Sequence, residues 1–380
     1  MPFIQKIYTW LLLNPKVAIR RCLEYDPEEV LAHVEWLYAQ ADGPDPSGKR
    51  ILVKPNILSD EYPIKAITTH PVVVEAVIKY LQSKGAKVFV GDSPTFDNRK
   101  FTGEKSGISQ VAESCGATWV RFNDPGISKK VGSASIKITN LVNKVDLIIS
   151  VSKLKNHELM FFTGAIKNIF GFVQGFGKIR QHTRYPDRYK LAEFLVDLEE
   201  VVKPHFHIMD GIIALEGSGP GNGYPKKVNV LLASVNPLAL DIIASRIVGY
   251  NPLEIPTNKI ALQKGLLLKN VNDIIIKGPD PDTIVIRDFK RIVTGGEKGI
   301  IFNFFKKRIP FLRRFDKRPV FNNKLCIKCS KCIDICPVKI LHFDDKRENK
   351  VLINDSKCIR CYCCHEVCRE RAIDIKRKVI

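Results

Sequence analysis

The chain has 380 residues, 45% of them hydrophobic, and a formal net charge of +20. That is long enough for two α/β lobes and a smaller domain, and the apolar content excludes a disordered protein. The charge calls for an anionic partner, surface or substrate, or else a lysine-rich exterior that serves solubility, and the absence of a zinc-finger, RNA-recognition or helix-turn-helix signature leaves nucleic acid out of the expected partners.

The N-terminal apolar run 10–13 stops at Asn14-Pro15 and no small-residue cleavage site follows, so no signal peptide is expected. No stretch approaches the length needed to cross a bilayer. Membrane association is therefore not expected, and a cytoplasmic location is. Asp26-Pro27-Glu28-Glu29 reads as a helix start, with a capping carboxylate, proline in the first turn and acids at the positive end of the dipole. That helix should run to about Gln40. A polar Pro/Gly stretch over 42–49 then separates an N-terminal helical segment, 1–48, from an α/β domain over 49–298.

Within that domain 50–54 (RILVK) reads as a buried strand ending at Pro55-Asn56. Thr69 is expected to cap a helix with Pro71 near its start and Gly85 at its end. Strands follow at 87–90, running into Gly91-Asp92-Ser93, at 118–122 and at 145–151, with a helix at 109–115. Ser152 to His157 follows the last of these strands. A helix should open at 162–168, and a glycine-rich segment leads through Lys178, Arg180 and His182. A helix at 190–202, strands at 205–210 and 228–233, and a helix opened by Asn236-Pro237 complete the reading. Strands alternating with helices predict an α/β fold with a mostly parallel sheet and flanking helices. The segment 299–322 interleaves phenylalanines with lysines and arginines around Pro310. It is expected to dock its rings between domains while its cations stay solvated.

The last stretch, 323–380, carries the most specific signal. Cys326, Cys329, Cys332 and Cys336 are spaced C-x2-C-x2-C-x3-C, followed by Pro337, and Cys358, Cys361, Cys364 and Cys368 repeat the spacing. Three closely spaced thiolates wrap one face of a cubane, and the fourth cysteine of each run reaches the other cluster. On that rule Cys326, Cys329, Cys332 and Cys368 hold one [4Fe-4S] cluster, and Cys358, Cys361, Cys364 and Cys336 the second. The rival, a pair of zinc sites, uses paired C-x2-C units without a third cysteine at the same step. Cys363 falls outside the pattern and reads as a buried small residue. This part resembles the bacterial-type two-cluster ferredoxin domain, a small α+β unit, with Arg369 where a second proline is usual. Cluster ligands imply a reducing interior.

In open α/β sheets the binding crevice lies off the carboxyl ends of the strands. Lys54-Pro55-Asn56, Gly91-Asp92-Ser93, Ser152 to His157 and Asp210 to Gly223 all sit at such ends. Their convergence predicts a cleft made cationic by Lys153, Lys155, His157, Lys167 and Arg180, suited to a carboxylate or phosphate. Asp92, Asp210, Glu216 and Asp241 are candidate bases, proton donors or metal ligands. The bland alternative is a solvated lysine loop. Gly217 to Gly223 lacks the dinucleotide-binding spacing and Gly171 to Lys178 fails the phosphate-loop pattern, so neither predicts a nucleotide. His205 and His207 would share a strand face with Asp210, which more often means packing than a metal.

Across Ser152 to Gly171, Asp210-Gly211, Glu216-Gly217 and Asn236-Pro237-Leu238-Ala239-Leu240-Asp241 the chain is similar to the family catalogued as domain of unknown function 362. The resemblance implies no activity. It marks Lys54, Asn56, Asp92, Lys155, His157, Thr163, Lys167, Asn168, Glu216 and Asp241 as candidate site residues. The leading expectation is a ferredoxin-dependent oxidoreductase: an acidic ferredoxin or flavoprotein exchanges electrons with two [4Fe-4S] clusters, and an anionic small molecule or second cofactor sits in the cleft. Two alternatives stay open, an electron-transfer or maturation protein whose α/β domain binds a partner, and a non-redox enzyme with structural clusters.

Overall fold

The computed structural model describes residues 14–93, 103–122, 125–175, 177–265, 270–292, 317–344 and 347–377. The expected docking of the basic aromatic stretch falls on 299–316, outside the described residues. Strands of the main sheet are β1 (Lys16–Arg21), β2 (Arg50–Pro55), β3 (Lys87–Asp92), β4 (Thr118–Arg121), β7 (Leu147–His157), β8 (Phe161–Thr163), β9 (Phe206–Glu216), β10 (Tyr224–Ser234) and β11 (Ile275–Lys277). Between β4 and β7 lies a separate hairpin, β5 (Ile127–Val131) and β6 (Ala134–Ile138). The nine-stranded sheet has the order β11-β1-β10-β9-β7-β2-β3-β4, with β8 paired to β7.

The sheet is mixed. Pairs from β9 through β7, β2 and β3 to β4 are parallel, whereas β10 runs antiparallel to both β9 and β1. The described part of the N-terminal segment, from residue 14, is therefore not separate from the α/β domain: β1 is hydrogen-bonded inside the sheet beside β10. The pattern KVAIRR is too short and too charged at its ends to read as a core strand before its neighbours are known.

Helices cover both faces. On one side α1 (Pro27–Gln40), α2 (Pro71–Ser83) and α3 (Ile108–Ser114) pack a core that includes Val34, Leu37, Val77 and Ile149. On the other lie α4 (Ala165–Asn168), α5 (Gly177–Arg184), α6 (Arg188–Val202), α7 (Pro237–Ile247) and α8 (Pro256–Gln263), over Phe162, Phe172, Leu195 and Ile243. Asp26 caps α1 as its sequence predicts, accepting from the Glu28 and Glu29 amides. The cap of α2 is His70, not Thr69, because the Thr69 hydroxyl is used elsewhere: it donates to Val151 O and accepts from Asn56 N–H.

β7 and β9 run longer than the sequence suggests. Ser152 to His157 lies inside β7, since β8 and β9 continue the ladder on either side of it. Its lysines are strand residues held in fixed register, and a solvated loop is excluded.

The C-terminal unit has two antiparallel pairs, β12 (Arg318–Phe321) with β15 (Ile373–Lys376) and β13 (Leu341–Asp344) with β14 (Arg347–Ile353). Two short helices, α9 (Lys331–Ile335) and α10 (Cys363–Val367), pack on each other. The unit sits directly on the α/β domain. His365 is buried there, with Nε2 3.2 Å from Ser218 O and Nδ1 2.6 Å from Ile373 O, and Asn222 donates to His365 O at 2.6 Å. Arg371 donates to Gly223 O, and Arg369 pairs with Glu61 at 2.9 Å. The glycine segment 217–223 is thus a docking platform. Arg369 stands where a proline was expected and supplies an ion pair between the domains.

Candidate functional site

β2, β3, β7 and the turn of α4 bring Lys54, Asn56, Asp92, Lys155 and Asn168 into one buried network. Lys54 Nζ donates to Asp92 Oδ2 at 2.9 Å, to Asn168 Oδ1 at 3.0 Å and to Pro55 O. Asn56 donates to Asn168 Oδ1 and accepts from Lys155 Nζ at 2.7 Å. Lys155 also donates to Ile67 O. Gly171 is required here, because a Cβ would run into Asp92 Oδ1 and Lys54 Nζ. Burial drives the Lys54 amine below its ordinary range and Asp92 opposes that. The pair is closed, and breaking such a pair costs about 3–5 kcal/mol.

Lys155, Lys167 and Lys178 form no such ion pair among the described residues. Burial holds Lys155 well below the usual lysine range, and neighbouring Lys167 lowers it further. Lys167 follows the same rule, with Glu366 opposing. Lys178 on α5 is buried and pushed down to about 7 by desolvation. Taking an uncompensated cation out of water costs several kcal/mol, so a cluster of them is retained at a penalty that a bound anion would offset. Buried polar atoms without hydrogen-bond partners surround the same place: Thr163 Oγ1, opposite Lys155 in the β7–β8 register, His182 Nδ1 and His157 Nε2.

His157 Nδ1 accepts from the Leu159 and Met160 amides, so the ring proton sits on Nε2. Burial, helped by Lys167, keeps this imidazole neutral. Nε2 lies 3.3 Å from Glu366 Oε1 but off hydrogen-bond alignment, and both atoms are left without a partner. Glu366 belongs to α10, so the C-terminal unit inserts a carboxylate into the cationic cleft.

Four expected site residues are placed elsewhere. Lys153 is locked to Asp210 at 2.8 Å beside Tyr25, a buried pair on the opposite side of the bulge in β7. Asp241 accepts from Ala165 and Ile166 N–H and so caps α4; burial pushes its carboxyl up to about 7. It positions Lys167 and Asn168, and Gly164 leaves room for it. Glu216 accepts from the Lys290 amide, and its other oxygen lies 3.9 Å from Lys290 Nζ. Arg180 is exposed on the outer face of α5. His205 and His207 do not share a metal site: His205 Nδ1 accepts from Ile148 N–H, and His207 Nε2 lies 3.5 Å from Glu199. Sequence reasoning passed over Lys178 and Glu366. Lys178 has a legible signal, two residues before Arg180 on the opposite helix face; Glu366 has none, because its place depends on domain docking.

None of the eleven cysteines forms a disulfide. Cys332 interacts electrostatically with Cys326, Cys368 and Cys329, and Cys364 with Cys361, Cys358 and Cys336 as well as with Cys332 of the other set. The donor set therefore falls into two groups of four, with the last cysteine of each run crossing over. Lys328 and Ser330 in the first run, and Arg360 and Tyr362 in the second, all take the left-handed conformation. Left-handed residues of this kind recur in the backbone nests that bind anionic groups. The residues present fit cubane clusters better than tetrahedral zinc, which has no use for a third thiol at the same step. Cys363, outside the spacing pattern, is buried with Ile179, Ile335 and Val367 and packs against Cys332 and Cys361, with a side-chain hydrogen bond to Cys361.

Fold and cysteine pattern define an α/β protein with an appended ferredoxin-type 4Fe-4S unit. Residues 51–246 match the family described as Domain of unknown function (DUF362), and residues 318–369 match the 4Fe-4S dicluster domain. The chain belongs to the DUF362 family and carries a 4Fe-4S dicluster domain. A protein from Synechocystis sp. described as thylakoid-associated is 31% identical over 255 residues, covering 66% of this chain and 79% of that one. Among solved structures, the lactate racemase apoprotein of Thermoanaerobacterium thermosaccharolyticum is similar, with a TM-score of 0.40, 12% identity and coverage of 62% of this chain and 57% of that chain. A Thermotoga maritima protein aligns with a TM-score of 0.33 and 16% identity over 53% of each chain. These alignments span little more than half of either solved structure. Among the described residues no helix is long and apolar enough to cross a membrane.

Proposed function

We propose that this protein is a ferredoxin-dependent redox enzyme acting on an anionic small molecule or second cofactor. When bound, the two [4Fe-4S] clusters supply one-electron transfer between a docked partner and the cleft. Lys155, Lys167 and Lys178 supply the positive charge that holds the anion, and the Nε2–H of His157 offers an oriented donor. Asp241 and the Lys54–Asp92 pair fix the frame. The observation that carries this reading is the contact of α10 with the cleft: the helix bearing Cys364 also bears Glu366, which faces His157, Lys155 and Lys167. Redox cofactor and cationic groups are then neighbours.

The partner is an acidic redox protein. Cys329 is exposed, flanked by Leu325 and Ile327, which are 49% and 64% exposed, and by the exposed Lys324 and Lys328. An apolar spot over a cluster ligand, ringed by cations, suits an acidic ferredoxin or flavoprotein. A reducing cytoplasm is the compartment this chemistry requires. The thylakoid association of the Synechocystis relative makes an anionic membrane surface the alternative place to test.

A second reading has its own support. Glu366 already fills the cationic cleft, as expected of an electron-transfer or maturation protein whose α/β domain only seats its own ferredoxin unit. Titrating the anaerobic, cluster-loaded full chain with a panel of small carboxylates and phosphates separates the two. Binding that weakens in Lys167→Ala with iron content unchanged supports the enzyme. A panel without a binder, or equal affinity in that variant, favours the second reading.

A further inference from the structure

Arg180 was expected in the cleft and is not there. It lines a separate depression of about 400 Å³ between α5 and the β5–β6 hairpin, with Ser128, Ser135, Lys137, Gln181 and Arg184. Arg180 and Arg184 lie one helical turn apart and so share a face of α5. The hairpin register sets Ser128 opposite Lys137, and period-two alternation places Ser135 on that same outward face. No carboxylate lines the depression among the described residues. Gln181 is 5% exposed, its amide N–H donates to Gly177 O, and its Oε1 has no hydrogen-bond partner.

We propose that this depression is a second binding site, for a small phosphate-bearing molecule. Two guanidinium forks and an ammonium converge on one volume, which is the donor set that grips phosphate oxygens through paired, charge-assisted bonds. Two serine hydroxyls add neutral donors. The unpartnered Gln181 Oε1 takes a hydrogen bond from a hydroxyl of the ligand. The volume falls in the range of small-molecule sites. The site is distinct from the inner cleft because α5 divides them: Lys178 and Ile179 are buried on one side of the helix, while Arg180 and Arg184 are exposed on the other.

Calorimetric titration of the cluster-loaded full chain with pyrophosphate tests this. One molecule should bind per chain, and affinity should fall about tenfold or more in Arg180→Ala and again in Arg184→Ala. Arg180→Lys should also weaken it, since an ammonium cannot reproduce the fork. Lys167→Ala, in the inner cleft, should leave it unchanged. Three results would overturn the proposal: no binding at millimolar pyrophosphate, loss in Lys167→Ala with retention in the arginine variants, or equal loss in the remote, exposed Lys203→Ala, which would mean diffuse charge only. Arg180 and Arg184 are exposed, so circular dichroism should report an intact fold in each arginine variant.

Discussion

The two cysteine runs have the same spacing and the same left-handed residues, yet they meet different surroundings. The first run lies toward solvent, with Cys329, Leu325 and Ile327 exposed. The second lies against the α/β domain, with Cys363, Cys364 and His365 buried and Glu366 in the cationic cleft. Solvent exposure and nearby charge are among the factors that set a cluster's potential. Duplication gave two similar chemical units, and docking gave them different surroundings: one lies toward solvent, the other faces the lysines.

The strongest way to break that contrast is to remove Cys336. If the runs exchange their fourth ligands, Cys336→Ala loses the group of Cys364 although it sits in the first run. Iron should fall from about eight to about four per chain, and electron paramagnetic resonance should retain the signal of the solvent-facing cluster. Loss of the solvent-facing cluster alone would reverse the assignment.

Next in size is the cleft itself. Lys155→Ala and Lys167→Ala should each weaken binding of the cleft's anion by about 1.5–3 kcal/mol, the worth of one charge-assisted contact, with iron content unchanged. Lys153→Ala should instead lower stability by about 3–5 kcal/mol, because it strands Asp210 in the core. Denaturant melts set beside binding curves distinguish the two classes.

Lys178 gives a pH signature. Its amine is pushed down to about 7 by burial, so it loses its proton as pH rises through that value. Anion affinity should therefore fall between about pH 6 and 8 by up to tenfold, and the slope should vanish in Lys178→Ala. The stability effect has the opposite sign. Between about 7 and the ordinary lysine range the unfolded chain binds the extra proton, so this group makes stability rise with pH in that window.

Smaller changes belong to the outer run. Lys324→Glu with Lys328→Glu should slow reduction by an acidic ferredoxin several-fold at low salt, and the difference should disappear at high salt. Identical rates at low salt would remove that face as the docking site. Smallest is Arg369→Ala, which deletes a partly solvated pair with Glu61 and should cost no more than about 1 kcal/mol in thermal unfolding.

The sequence by itself determined the dicluster domain, the α/β class and the residues of the buried network. Cysteine spacing is local, and hydrophobic strands ending in Lys54-Pro55-Asn56 or Gly91-Asp92 announce themselves. Only the tertiary structure decided which lysines are free. Lys153 and Lys155 are two residues apart on one strand, but a bulge in β7 sends one to Asp210 and the other to Asn56. Asp241 looked like a reacting carboxylate and is a helix cap, because its partners, Ala165 and Ile166, lie some seventy-five positions away in the chain. Arg180 and Lys178 are separated by two positions and by the width of a helix. Glu366 reached the cleft through domain docking, which no local pattern encodes. Burial and pairing depend on what arrives from distant segments, and those distances are set only when the chain has folded.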